Sequence, residues 1–423
     1  MEDRMYLCID LKSFFASVEC AERGLDTMTT RLVVADPSRG RGAICLAVSP
    51  ALKALGVRNR CRIYEIPQGI DYLVALPRMK LYMEYAARIY SVYLHYISPE
   101  DIHVYSIDEC FLDITSYRKL YGKNEREIAT MLTDAVFRET GGICATTGIG
   151  TNLFLAKVAL DITAKHAPDR IGYLDEAEFL RTVWYHRPIT DIWNIGRGIA
   201  RRLEKMGIYD LHGVAGCDEA KLYREFGVNA EYLIDHAHGR EPCTIADIHA
   251  YVSKSASLSN GQILFEDYRF EDALTVLKEM VDLLVLEMVD KHLVTDSISL
   301  SVGYSRDLNG SAGGTEKLPS YTASAKKIRS AFVACFRKTV NPNYPIRRIN
   351  VGLNNLQDEA YATLDFFTDL ESEKREQNLQ RTVIDIRRKF GKNAILHGLS
   401  LGDKATARQR NRLIGGHNSG EEQ

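Results

Sequence analysis

The order of its short apolar runs limits this chain most. Residues 5–10, 102–114 and 146–150 read as strands, and residues 79–98 and 125–138 read as helices between them. In the first of those helices Leu81, Tyr85, Ile89, Val92 and Tyr96 recur near helical spacing, so one face is apolar. Together these elements suit a β-α-β-β-α-β arrangement, a sheet with helices packed on it. Residues 20–78 interrupt it as an insertion. There 42–48 read as a strand, and Pro50 opens a helix that Gly56 ends.

Two of those runs carry acids. Asp10 closes the first, and Asp108-Glu109 sit at the tip of the hairpin that 102–114 forms. Three carboxylates on strand ends can share two Mg²⁺ ions, with the backbone carbonyl of Leu11 as a further oxygen donor. Two such ions are what nucleotidyl transfer uses. Adjacent Asp-Glu is also common on solvated loops, so the pair takes its meaning from its neighbours. Phe14-Phe15 follow Asp10 by one helical turn. Phe14 reads as core. Phe15 can lie beneath the sugar of an incoming nucleotide, where a flat ring leaves no room for a 2′-hydroxyl. Lys53 and Lys165 are candidates to neutralise a triphosphate as point charges, although a lone lysine is more often solvated surface. Lys157 is either a third such lysine or structural. His236 and His238 have no cysteine or third histidine to complete a zinc site and read as structural.

At 423 residues the chain exceeds one ordinary core, and roughly three or more modules are expected. Apolar residues make up 45% and charged ones 26%, the balance of a soluble globular protein. No apolar run is long enough to span a bilayer. The N-terminus lacks a signal-peptide pattern, and nine cysteines without a Cys-x-x-Cys pair point to reduced thiols and a cytoplasmic location. Net charge is −2, which leaves nucleic-acid binding to local clusters. Residues 191–203 have the shape of a helix-hairpin-helix, whose backbone N–H groups around Gly196 and Gly198 can hold a phosphate. Residues 241–250 read as a linker. Beyond it, 266–296 hold nine acids against Arg269, Lys278 and Lys291, whereas 317–357 hold eight bases and no acid. A charge run is often a solvated face, but this segregation suits a phosphate-backbone binder, with Lys326, Lys327, Arg329, Arg347 and Arg348 as contacts. The strand 297–304 alternates small polar with apolar residues. One side can pack on helices, and the other offers hydroxyls and approachable amides to a duplex. A polar, helix-rich tail follows.

Taken together, these motifs resemble those of Y-family translesion DNA polymerases. Cys8-Ile9-Asp10-Leu11-Lys12-Ser13-Phe14-Phe15-Ala16-Ser17-Val18-Glu19 and Ser106-Ile107-Asp108-Glu109-Cys110-Phe111-Leu112-Asp113 are similar to the family's two signature motifs. Gly148-Ile149-Gly150-Thr151-Asn152-Leu153-Phe154-Leu155-Ala156-Lys157 is similar to its third. Residues 47–57 and Ile414-Gly415-Gly416-His417 resemble the UmuC-like branch of Gram-positive bacteria.

The resemblance implies an α+β multidomain fold, a right-hand polymerase. Its parts would be a ferredoxin-like palm (1–19 and 79–170), small fingers (20–78), a helical helix-hairpin-helix thumb (171–242), an α/β little finger (250–357) and a tail (358–423). It implies a DNA-templated DNA polymerase of low fidelity, acting in translesion synthesis during DNA repair and the SOS response. Asp10, Asp108 and Glu109 carry over as catalytic ligands of two Mg²⁺ ions, with Leu11 through its carbonyl. Phe15 carries over as the steric gate, and Lys53 and Lys165 as triphosphate contacts. The segment after Lys157 is one residue longer than in archaeal relatives, which loosens the Lys165 assignment. Pro50 and Lys53 stand where some branches have Tyr and Arg, and Asn194 stands where the hairpin often has Gly. Thr363-Leu364-Asp365-Phe366-Phe367 is similar to the short motif that docks on the sliding clamp, with Thr363 in place of the usual Gln. Leu364, Phe366 and Phe367 would fill the clamp's pocket. The implied partners are primer–template DNA, deoxynucleoside triphosphates and a sliding clamp, with a UmuD-like or RecA partner left open and no membrane. A catalytically silent DNA- and clamp-binding relative and a palm-fold nucleotide cyclase are the alternatives.

Overall fold

The computed structural model of the chain describes residues 4–253, 256–305, 308, 310–362 and 370–420. Among them no helix is long and apolar enough to cross a membrane, and all nine cysteines are free thiols. Two units divide the chain: Met1–Tyr251 with Ser419–Gln423, and Val252–Asn418.

In the first unit β1 (Tyr6–Leu11) leads into α1 (Phe14–Glu22). The insertion follows, with β2 (Leu32–Val34), β3 (Ala47–Val48), α2 (Pro50–Ala54) and β4 (Leu73–Ala75). Its three strands lie in the order β3-β2-β4 over a small core that includes Val33, Cys45, Leu52 and Cys61. The strand expected over 42–48 is shorter than its apolar run. Ile44 makes only an isolated bridge to Arg62, and the ladder starts at Ala47.

Next come α3 (Met79–Leu94), β5 (Ile102–Val104), β6 (Glu109–Asp113), α4 (Thr115–Tyr121), α5 (Glu125–Glu139), β7 (Ala145–Gly150), α6 (Leu153–Val158) and β8 (Ile171–Leu174). They assemble one sheet in the order β5-β6-β1-β7-β8, antiparallel except between β7 and β8. Side chains along β1 alternate between its faces. Leu7, Ile9 and Leu11 enter a core with Tyr82, Ile89 and Leu132 of α3 and α5. Tyr6 and Cys8 join Leu153, Ala156 and Leu160 on the opposite face. Asp10 is the next residue of that second face.

Glycine sets how closely α6 sits on the sheet. A Cβ on Gly148 would lie 2.1 Å from the Ala156 carbonyl oxygen, and one on Gly150 would lie 2.1 Å from Ala156 N. On Gly172 of β8 it would meet Thr163 Oγ1 at 2.3 Å. The helix backbone therefore rests on bare strand backbone.

The rest of this unit is helical. α7 (Glu176–Thr182), α8 (Arg197–Lys205), α9 (Leu211–Ala215), α10 (Glu219–Phe226) and α11 (Ala230–Ala237) share a core around Phe179, Leu203 and Leu222. His236 is structural, as expected: it stacks on Phe154 (4.0 Å) and bonds Glu241 (3.0 Å). Residues 241–250 are not a linker. They contain α12 (Ile245–Ala250), opened by a reciprocal Thr244–Asp247 cap, with Ile245 buried beside Tyr6 and Phe111.

The second unit contains β9 (Leu258–Tyr268), α13 (Phe270–Asp290), β10 (Leu293–Tyr304), β11 (Ser311–Thr322), α14 (Ala325–Thr339) and β12 (Ile346–Asn354). The strands are antiparallel in the order β11-β10-β12-β9. Ile298, Leu300 and Val302 join the core formed with α13 and α14. Ser299 and Ser301 alternate with them and face away. The polar tail returns to this unit rather than leaving it. α15 (Leu370–Phe390) places Ile384 against the core and Arg388 on Asp290, and the amides of Thr406 and Ala407, where α16 (Ala407–Arg410) begins, donate to buried Glu279.

Candidate active site

Asp10 and Glu109 lie directly opposite each other on β1 and β6, and the Leu11 N–H donates to the Asp108 carbonyl (2.9 Å). The three acids singled out in the sequence therefore meet at one end of two paired strands. Ser106 Oγ donates to Asp108 Oδ1 (2.7 Å), fixing the tip of the hairpin. Burial, followed by the charges of Asp108 and Glu109, pushes the Asp10 carboxyl up to about 7. Such crowded carboxylates are what a cation would relieve, and their oxygen donors fit a hard divalent ion.

Glu109 is engaged by the protein itself. Its Oε1 accepts from Lys157 Nζ (2.8 Å) and from the Cys8 thiol (3.0 Å). Accordingly, among the described residues no three His, Cys, Asp or Glu side chains form a ready-made metal group. Lys157 also pairs with Asp161 (3.1 Å), and Lys165 lies 3.6 Å from the same carboxylate. Burial would lower the Lys157 ammonium, but the bond to Glu109 and the charges around it hold it well above its ordinary value. Between the two lysines, Ala159–Thr163 form a π-helical turn. Such a turn holds one residue more than an α-helical one.

Lys53 reaches in from the insertion, donating to Ser13 Oγ (2.9 Å). Desolvation by the protein around it pushes its ammonium below the ordinary value, opposed by the charge of Asp10 and helped by those of Lys12 and Lys165. Lys53 and Lys165 thus share one electrostatic neighbourhood with the acids. Phe14 is buried at 2% exposure, whereas half-buried Phe15 stacks on Tyr82 of α3 with centroids 4.6 Å apart and planes at 21°.

At the hairpin, Gly196 caps α8 and Gly198 lies in its first turn, and a Cβ at either would meet nothing within 4 Å. Asn194 adopts φ 66°, a left-handed backbone that Asn tolerates better than most residues, so it can replace Gly there.

The basic stretch of the second unit divides in two. Arg348 is exposed and pairs with Gly303 and Ile263 across the sheet, in the row next to Asn350, Ser301 and Gly261. Arg347 lies 3.7 Å from Asp267. Lys327 and Arg329 instead pair with Glu373 (2.6 Å) and Asp282 (3.1 Å), and the Lys326 amide donates to Glu376 (3.0 Å). These three hold helices together on the other side of the sheet. Leu364, Phe366 and Phe367 lie outside the described residues.

Sequence reasoning missed the partners of Glu109: the Cys8 thiol and the Lys157–Asp161 pair. The four-residue spacing of Lys157, Asp161 and Lys165 was the available signal. It also missed Glu19 and Tyr82, which sit beneath Phe15.

The impB/mucB/samB family matches residues 9–161, and the impB/mucB/samB family C-terminal domain matches residues 255–366. The chain is 32% identical to the putative UV-damage repair protein UvrX of Bacillus subtilis, over 98% of this chain and 97% of that protein. It is 30% identical to DNA polymerase IV 2 of Halalkalibacterium halodurans, over 98% of this chain and 99% of the relative. Its fold is similar to that of a Y-family DNA polymerase chimera, with a TM-score of 0.65 and 22% identity over 84% of this chain and 99% of the other.

Proposed function

From the premise that the chain belongs to the impB/mucB/samB family of Y-family DNA polymerases, we propose that Asp10, Asp108 and Glu109 are the catalytic carboxylates of a translesion DNA polymerase. The substrates are primer–template DNA and deoxynucleoside triphosphates. Two divalent ions, Mg²⁺ in this reading, would when bound acidify the primer 3′-hydroxyl and offset charge on the triphosphate. The three carboxylates and the Leu11 carbonyl would hold them. To serve there, Glu109 must release Lys157. Lys157 keeps Asp161 as a partner, so no lone charge is left in the interior.

The other residues take roles by position. Lys53, braced by Ser13, and Lys165 orient the triphosphate. The Phe15 ring excludes a 2′-hydroxyl. The open amides of α8 and the sheet face around Arg348 hold the DNA backbone without reading bases, as synthesis on any template requires. The small insertion at 20–78 exerts little shape selection, hence low fidelity. Work on genomic DNA implies the cytoplasm.

One observation carries the site assignment: Asp10 and Glu109 in register, with the Asp108 backbone bonded to Leu11. Primer extension with Asp108→Ala tests it. Loss of incorporation is expected, and an alanine variant that extends at the wild-type rate would overturn the site. We further propose that Leu364, Phe366 and Phe367 dock on a sliding clamp. Deleting 363–367 should weaken clamp binding while distributive synthesis persists. Adding a UmuD-like dimer or RecA to the extension assay tests the remaining partners.

A further inference from the structure

Beneath Phe15 runs a polar ladder, buried at Glu19, Tyr82 and Tyr85 and open to solvent at its other members, that the proposed reaction does not use. Glu19, one turn further along α1, is fully buried. Its Oε1 accepts from the Tyr82 hydroxyl (2.7 Å) and Arg78 Nε (3.0 Å), and its Oε2 from Arg78 Nη2 (2.8 Å) and from Arg23. Further along both helices, the Tyr85 hydroxyl donates to Glu22 Oε1 (2.7 Å). Two tyrosines three apart on α3 therefore meet two glutamates three apart on α1, the spacing that puts each pair on one helix face. Tyr82 is the shared member. Its ring carries Phe15, and its hydroxyl is fixed by Glu19.

A carboxylate buried as Glu19 is, even with arginines that reach solvent, is a poor source of net stability, because its desolvation offsets most of the attraction. Its best-attested use is to fix register: a carboxylate with set donors tolerates one alignment of two helices, whereas an apolar contact tolerates sliding. The start of α1 is anchored by its backbone, with the Lys12 N–H donating to the Cys144 carbonyl (2.9 Å) and the Ser17 hydroxyl to the Lys12 carbonyl (2.7 Å), and by buried Phe14, but none of these contacts is made by the Phe15 ring. The Ser13 side chain makes no cap bond and accepts from Lys53 instead. The ring itself lies on Tyr82, whose hydroxyl the ladder fixes one turn away.

We propose that Glu19 and Tyr82 are positioning residues for sugar selection, setting the height of the Phe15 ring beneath the nucleotide. This rests on Phe15 being the steric gate. The test is kcat/KM for deoxy- and ribonucleoside triphosphates in the full chain, with Tyr82→Phe, Glu19→Gln, Phe15→Ala and the Phe15→Ala/Tyr82→Phe double variant. Tyr82→Phe keeps the ring and loses only the bond to Glu19. The deoxy-over-ribo preference should fall about tenfold, as expected of a sub-ångström misplacement at a reacting centre. In the Phe15→Ala background the same change should alter the preference no further. If Phe15→Ala leaves the preference intact, the gate reading itself fails. If Phe15→Ala loses it while Tyr82→Phe and Glu19→Gln keep it, the gate stands and the ladder is refuted. Equal losses for both sugars refute the ladder too, since a merely structural role predicts them. Should Glu19→Gln not fold, Tyr82→Phe decides alone.

Discussion

Alanine at Gly148 should do more harm than one methyl group suggests. Its Cβ would stand 2.1 Å from the Ala156 carbonyl oxygen and 2.2 Å from Leu160 N, where real Cβ atoms essentially never come within 3.0 Å. Both neighbours are backbone, so no rotamer change relieves the clash. The helical segment must retreat by at least 0.9 Å from the sheet. Overpacking a core costs about 1–3 kcal/mol, and a backbone-on-backbone clash belongs at the upper end. For a unit of this size roughly 2–4 °C is lost per kcal/mol, so a fall of about 6–12 °C in the melting temperature is expected. Lys157 rides on the same helix, so its 2.8 Å bond to Glu109 should open with it. Thermal unfolding by circular dichroism, paired with primer extension on undamaged template, reads both effects. Gly398→Ala, where a Cβ would meet nothing within 4 Å, is the control and should melt as wild type. If Gly148→Ala melts and extends as wild type does, the close seating of α6 is wrong.

Two other perturbations separate roles that the sequence runs together. Arg348→Ala should weaken DNA binding and lower the slope of log affinity against log salt by about one phosphate contact, whereas Lys327→Ala should leave that slope alone. Equal slopes for Arg348→Ala and wild type would remove Arg348 from the interface. Glu19 supplies a pH dependence. Burial favours its neutral form, but the bonds from Arg78, Arg23 and Tyr82 win and hold its carboxyl below the ordinary value. With the folded pKa below the unfolded one, its stabilisation is present above about pH 4.3 and lost as pH falls through the lower folded value. Melting curves taken downward from neutral pH should therefore show a shallower acid limb in Glu19→Gln, and matching limbs would contradict the assignment.

The parts legible in the sequence were those with local causes. Buried strands announce themselves as apolar runs, and acids at their ends have few structural reasons to be there. That is why Asp10, Asp108 and Glu109 could be named and were found together. Lys157 was left undecided because its contact with Glu109 depends on Gly148 and Gly150, whose lack of side chains lets a helix descend onto the sheet. A linear string says nothing of such distances. The bases of 317–357 misled for a related reason. A charge count does not tell which face of a sheet a residue serves, and Lys327 and Arg329 answer acids on neighbouring helices. The stretch 241–250 looked like a linker because Pro242 interrupts it, yet Thr244 and Asp247 already spelled out a helix cap.

The π turn at Ala159–Thr163 changes how relatives should be compared with this chain. A residue added to an α-helix rotates everything after it by about 100°. A π turn takes in one residue more than an α turn, so against a relative one residue shorter here both ends of the segment would keep their bearings, with Lys157 on Glu109 and Lys165 by Asp161. An alignment that puts its gap before Lys157 or after Lys165 equates lysines that do not correspond. Placed inside 159–163, the same gap brings both into step. Length variation between members is thus expected to gather in this one turn, and a shorter relative should run through it as plain α-helix with both of its lysines in place.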